Sequence, residues 1–396
     1  MQSGNLIRNR IESIDILRGI VMVIMALDHV RTYFHVTAMT NDPLNLNTTT
    51  LQLFFARWVT NFCAPVFVFL SGTSIYLLSL NKTAKELRAF LIKRGVWIIF
   101  VGIVLVNFGW SFDPFFRFIL LDVLWAIGIS MIIMSLLIGL RYNIILVIGL
   151  VIVLGHNLLD YPEAVMNGKI GFLWTLLHYG RFTSYHLFGN HMLVIAYPFL
   201  PWAGVMIVGY CFGKLYRPGV EAIVRQKLLI RLGVCIILLF VILRLFNHYG
   251  DPYPWRIRQS RLYTLMAFLK VNKYPPSLMF LCITLGPAMI LLALAEKVQN
   301  KVTAFFNVFG KVPLFYFIIH LFLIHLIEVI LFFFSGHQLK EAYNPLQQIA
   351  FRPVNFGYSL TVVYIIWVLL VVLLYPLCKK YGQYKSTHDK WWLRYL

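Results

Sequence analysis

The feature that most constrains this chain is a recurring apolar run. Stretches of about twenty residues with almost no charge, each long enough to cross roughly 30 Å of hydrocarbon as a helix, repeat from one end of the sequence to the other. Ten spans are predicted, at about 16–36, 58–80, 94–111, 118–140, 142–159, 192–213, 228–247, 277–295, 312–334 and 359–378. Lipid cannot satisfy open backbone groups, and the alternating pattern of a membrane barrel is absent. The fold class is therefore an all-α polytopic membrane bundle. Composition agrees: 60% of the 396 residues are hydrophobic and 13% charged, against roughly a quarter charged in a soluble domain. No short-period repeat or low-complexity linker interrupts the pattern, so residues 1–396 read as a single domain.

The net charge of +20 raises nucleic acid as a partner, but the cations sit in short loops between apolar runs, where they act as topology signals. With the N-terminus inside, 21 of the 35 Lys and Arg fall at inner ends, among them Arg8, Arg10, Lys82, Arg88, Arg225 and Lys379. Both termini are thus expected in the cytoplasm, with no nucleic-acid partner. The outer loops 37–57, 160–191, 248–276 and 335–358 are longer and rich in Pro, Asn, Gly and aromatic residues, as binding loops are. Loop 248–276 is itself basic, with Arg256, Arg258, Arg261, Lys270 and Lys273. It either argues against this orientation or faces an anionic saccharide or lipid headgroup. Five cysteines (Cys63, Cys211, Cys235, Cys282, Cys378) show no CxxC spacing and read as reduced thiols. No small-residue cleavage site follows the first run, so that span is expected to be retained.

The first span, "LRGIVMVIMALDHV", carries Arg18 near one end and Asp28 and His29 near the other. Arg18 and His29 are about three helical turns apart, which puts them on nearly one face and about 16 Å apart along the axis. Asp15 can pair with Arg18 across one turn, and Asp28 with Arg31. Ionisable groups inside a span are expensive and mark function by default. His29 has the chemistry to take a proton from an attacking hydroxyl or amine, although an intramembrane histidine can also simply donate to a neighbouring carbonyl.

The blocks "RIESIDILRGIVMVIMALDHVRTYFH", "WVTNFCAPVFVFLSGTSIYLL", "GHNLLD", "YPFLPWAGVMIVGYCFGKL", "GDPYPW", "KYPPSL" and "FGKVPLFYFIIHLFLIH" together resemble the bacterial branch of the heparan-α-glucosaminide N-acetyltransferase catalytic-domain family. That family belongs to a wider group of transmembrane acyltransferases whose signature is an arginine followed about ten residues later by a histidine, as with Arg18 and His29. The resemblance implies a multi-pass enzyme of a bacterial cytoplasmic (inner) membrane. It would move an acetyl or other short acyl group from cytoplasmic acetyl-CoA to an extracytoplasmic sugar amine or hydroxyl, assisted by a histidine. In the heparan-acetylating enzymes an asparagine takes the place of His29 and the working histidine comes later, where His35 is the nearest equivalent. Both His29 and His35 stand as candidates, His29 first, with Asp28 as its carboxylate.

Further candidates follow. Arg18 is a contact for the donor's phosphates, and His320, which matches a histidine of the family pattern, is a donor or substrate contact. His320, His325 and Glu328 lack the three or four converging ligands of a closed metal site, and no metal is expected. Asp122 in the fourth span needs a partner and could orient a histidine or anchor an arginine. His156 and Asn157 in "GHNLLD", and Asp251 and Trp255 in "GDPYPW", set aromatic rings beside hydrogen-bonding groups, as sugars require. Interfacial anchoring of helix ends explains them as well. Ser277 reads as a helix N-cap. No GxSxG, P-loop or GxGxxG is present. The rival function is a proton-coupled transporter or flippase, with the intramembrane Asp, His and Glu as its relay. Acceptor identity and a homodimeric state stay open.

Overall fold

The computed structural model describes residues 11–166, 168–343, 348–354 and 356–394; Arg8 and Arg10 lie outside the described residues. The order begins with α1 (Glu12–Phe34), then α2 (Leu51–Val59) and α3 (Cys63–Ser79), which a 3₁₀ turn joins into one rod. Next, α4 (Ala84–Val101) runs through a π-helical stretch into α5 (Asn107–Ser111). There follow β1 (Phe118–Leu121), α6 (Val123–Leu137), α7 (Tyr142–Gly155), the short α8 (Asp160–Val165) and α9 (Phe172–Trp174), β2 (Thr183–His186) and β3 (Met192–Ile195). The chain then builds α10 (Phe199–Phe212), α11 (Ala222–Phe246), α12 (Arg261–Leu269), α13 (Leu278–Lys297), α14 (Lys301–Gly310), α15 (Pro313–Phe334) and α16 (Leu360–Thr387). Among the described residues eight helices are long and apolar enough to cross a membrane. The all-α membrane bundle is what the apolar runs predicted, although ten spans were expected: α1, with Asp15, Arg18, Asp28 and Arg31, and the 15-residue α6 are not among the eight.

Helix starts follow local chemistry. Thr83 and Glu86 form a capping box for α4, Ser277 accepts from Phe280 N–H to cap α13, and Pro313 occupies the first turn of α15, where its missing N–H leaves no intrahelical bond unmade. Two predicted spans begin too early. Residues 118–121 and 192–195, assigned to the fourth and sixth spans, are strands: β3 pairs parallel to β1 and antiparallel to β2 in a small sheet. A four-residue apolar run cannot be told from helix by periodicity. What ends β1 is Asp122, whose Oδ1 accepts from Leu124 and Trp125 N–H at 2.9 and 3.4 Å. Asp122 therefore sits at a helix start and not inside a span, a correction to its expected place.

The charged first helix is at the centre of the bundle, packed by α3, α13, α14, α15 and α16. Sixteen of its 23 residues are buried, against four of 25 in α11. The physical reason is that α1 carries Asp15, Arg18, Asp28 and Arg31, which protein can pair and lipid cannot. Close crossings seat it. A Cβ on Gly19 would lie 1.8 Å from the Phe306 carbonyl oxygen, and one on Gly310 would lie 1.8 Å from that of Asp15. Reciprocal glycine contacts also join α3 to α10 at Gly72 and Gly209. Small residues at crossings let backbones approach where lipid offers no hydrophobic drive for association. The Gly19–Gly310 crossing fixes α14, and through it the start of α15, against α1.

Candidate active site

His29 lies five residues before the end of α1, about 8 Å along the axis, and its ring turns into the bundle. Its Nδ1 stands 2.7 Å from Nε2 of His320 on α15. The edges of Trp110 and Phe317 flank it, with ring centroids at 5.2 and 6.1 Å. His320 is fully buried, and its Nδ1 lies 3.0 Å from the Tyr316 carbonyl oxygen. That carbonyl can only accept, so His320 carries its hydrogen on Nδ1 and presents a lone pair at Nε2. His29 must then donate from Nδ1, which leaves the lone pair of a neutral His29 on Nε2. Among the described residues nothing hydrogen-bonds that atom, and the side chain is only half-buried. The chain Tyr316 C=O, His320, His29 thus fixes one tautomer and aims an unprotonated nitrogen into accessible space, as an orienting group does for a catalytic base.

Beside this pair, Asp28 receives Arg31 Nη2 at 3.0 Å, the predicted partner, and Arg57 Nη1 at 3.0 Å. Arg57, in the last turn of α2, was not foreseen; its signal was a lone cation at the edge of an apolar run. Asp28 is therefore tied to two arginines and does not orient His29. Arg31 and Arg57 line an open cavity of about 1070 Å³ whose walls include loop residues 38–47 and residues between 251 and 274. Asn61, Lys273 and Tyr274 also line it; His29 itself does not. Burial works against ionisation of the Tyr274 hydroxyl, but the charges of Lys273 and Arg57 outweigh it and hold its pKa below the usual tyrosine value.

The other predicted residues have separate places. Arg18 bonds Asp15 at 2.9 Å and Ser74 at 3.1 Å, so it ties α1 to α3 at the opposite end from His29. His35 follows α1; its Nδ1 accepts from Thr37 N–H at 3.3 Å, which puts the hydrogen of the neutral ring on Nε2. Asp251 accepts from Tyr253 N–H, Asn272 N–H and the Ser277 hydroxyl, and burial nevertheless pushes its pKa up. Trp255 donates to the Arg244 carbonyl at 2.6 Å and packs edge-on against Phe268. Both residues tie the 251–277 loop together at the cavity wall. His325 has a ring nitrogen against each of two carbonyls, Gly109 and Ala350.

Asn157 binds Asp160 at 2.7 Å and takes Leu278 N–H at 2.8 Å. His156 lies 3.1 Å from His178, which is 2.7 Å from Glu163. His178 and Glu163 were missed: Glu163 sits one turn beyond "GHNLLD" in α8, and only folding brings His178 back onto it. Oxygens and a ring nitrogen of Asp160, Glu163 and His178 lie within 4.8 Å of one another. Glu163 Oε1 is supplied by His178 and by Trp174 Nε1 at 2.9 Å, and its Oε2 lies 3.5 Å from Arg181, while Glu163 Oε2 and Asp160 Oδ1 are buried without a hydrogen-bond partner among the described residues.

Eight long apolar helices packed with a histidine pair between α1 and α15 define the class as an integral membrane protein. Residues 10–244 match the family described as heparan-alpha-glucosaminide N-acetyltransferase, catalytic. The match takes in more than half of the chain, which belongs to this family of membrane acyltransferases. It runs from α1 into α11 and so includes His29, Asp28 and Arg57, while His320 lies beyond it. No curated protein matches the chain.

Proposed function

We propose that this protein transfers an acetyl or other short acyl group from cytoplasmic acyl-CoA to the amine or hydroxyl of an extracytoplasmic sugar, with His29 as general base. The observation that carries the reading is the 2.7 Å contact between His29 Nδ1 and His320 Nε2, with the tautomer it sets. In the proposed step His29 Nε2 takes the proton of the acceptor's N–H or O–H as that atom bonds to the thioester carbonyl carbon. The carbon–sulfur bond then breaks, and the leaving CoA thiolate collects the proton from His29. The thioester is already activated, so positioning and one proton transfer suffice. His320 is a positioning residue here, and His35 is the less suited base, because its Nδ1 lone pair is already engaged by Thr37.

The donor's phosphates would meet basic residues at the Arg18 end of α1, and the acceptor would enter through the cavity at the opposite end. This fits cytoplasmic termini and a bacterial inner membrane. The test is transfer of radiolabelled acetyl from acetyl-CoA to a panel of amino sugars and glycans by the purified protein in detergent. Wild type is expected to label an acceptor and His29→Ala to lose transfer while CoA binding persists. Loss with His35→Ala alone would assign the base elsewhere. Absence of both transfer and CoA binding would return the relay residues to a transporter.

A further inference from the structure

The cavity beside Asp28 has an unbalanced wall. Seven cationic side chains line it and only two carboxylates, Asp42 and Asp251. Both carboxylates are committed to the loops that carry them, Asp42 to Leu44 N–H at 2.9 Å and Asp251 to the 251–277 loop. Three of the cations are committed too. Arg31 and Arg57 hold Asp28, and Arg244 spends its guanidinium on carbonyl oxygens of Tyr253, Ala267, Phe268 and Lys270. The remaining four, Arg256, Arg258, Lys270 and Lys273, make no side-chain hydrogen bond or ion pair with any described residue. Lys273 Nζ stands 5.2 Å from the Tyr274 ring centroid and feels Asp28 at Coulombic range without forming an ion pair with it. Lys270 and Lys273 are half-buried, which makes unpaired charge there more expensive than on an open surface. A second, independent feature points the same way. Asn61 is 3% exposed, lines the cavity, and its Oδ1 has no hydrogen-bond partner.

We infer that this cavity binds the acceptor through an oxyanion, a phosphate, sulfate or carboxylate gripped by Lys270 and Lys273 with Arg256 and Arg258 at the rim, while Asn61 takes a hydroxyl or amine of the same molecule. The inference rests on the acyltransferase reading for calling the molecule an acceptor. The binding itself does not need it. Cations gathered in a concave wall concentrate anions and hold them by charge-assisted hydrogen bonds. Arg31 and Arg57, which hold Asp28, line the same cavity, so an anion seated on the lysines binds in the cavity whose wall reaches the residue that precedes His29. The oxyanion can come from a soluble sugar or from a lipid headgroup at the membrane surface.

Binding is measured without any acyl donor, on the full chain in phosphatidylcholine nanodiscs, with glucosamine 6-phosphate and glucosamine as probes, and separately in nanodiscs with and without phosphatidylglycerol. The expected result is salt-sensitive binding of the sugar phosphate, or thermal stabilisation by phosphatidylglycerol, with glucosamine, which lacks the oxyanion, weaker. The Lys270→Gln/Lys273→Gln variant is expected to lose at least about tenfold in affinity, with Arg256→Gln/Arg258→Gln as a milder rim variant in case the first fails to fold. A response to the sugar phosphate alone assigns a soluble source, and a response to the lipid alone assigns a headgroup. Equal binding of glucosamine and its phosphate, with no effect of phosphatidylglycerol, overturns the inference. Retention of full affinity by both variants does the same. Anion binding in a protein that never transfers acetyl would sink the acyltransferase reading and leave this one standing; transfer to neutral acceptors only would do the reverse.

Discussion

Replacing His320 by leucine isolates the claim that one histidine sets the tautomer of another. The hydrogen on His29 Nδ1 has a single acceptor, His320 Nε2 at 2.7 Å, in a pocket otherwise walled by Trp110 and Phe317 rings. Leucine fills similar space and accepts nothing. A donor stranded in such surroundings costs about 1–3 kcal/mol, and His29 escapes the cost by moving its hydrogen to Nε2, the side open to accessible space. That tautomer is no base at Nε2. At 1.4 kcal/mol per factor of ten, the competent form falls by about 5- to 150-fold. In the radiolabelled acetyl-transfer assay kcat should fall by that factor while KM for acetyl-CoA holds. His320→Gln, whose Oε1 can still accept from His29, should recover part of the loss, a rescue that mere packing would not give. An unchanged kcat in His320→Leu, or a defect confined to KM, refutes the reasoning.

Two further outcomes follow from the fold. Gly310→Ala places a Cβ 1.8 Å from the Asp15 carbonyl oxygen, forcing α14 away from α1 at a cost of about 1–3 kcal/mol or more; the melting temperature in detergent should fall, whereas Gly155→Ala, with nothing within 4 Å of its Cβ, should cause no clash-driven loss. Asp113, in the loop before β1, is pushed up by burial but held below the ordinary carboxylate range by the Arg117 side chain and by the N–H groups of Arg117 and Phe115. Its contribution is therefore complete above the ordinary carboxylate pKa and drains away as the pH falls through the lowered value. Asp113→Asn should flatten the acid side of a melting-temperature profile between about pH 5 and pH 2, and an unchanged slope would refute the assignment.

The first helix shows how much of the site was legible. Asp28 with Arg31 and Asp15 with Arg18 could be read off because partners three residues apart on a helix face one another. Spacing alone also put His29 near one end of a buried span. His320 was visible as a residue but not as a partner, since 291 positions separate it from His29. Arg57 and Asn61 were hidden because each sits at the edge of an apolar run, where a polar residue is ordinary, whereas Lys273 was visible as one cation of a basic loop. Asp251 and Trp255, read as sugar contacts, also hold their own loop together at the cavity wall, because a turn and a binding site ask for the same residue types.

What the sequence determined unaided is the solvent. Runs long enough to cross a bilayer demand helices, so the bundle follows from local composition. What only the tertiary structure decided is which polar groups meet. The pairing of two histidines, the sharing of Asp28 between two arginines and the surplus of positive charge in one cavity depend on how helices cross. Crossings are set by backbone contact at residues such as Gly19 and Gly310, a long-range property that no window of sequence contains.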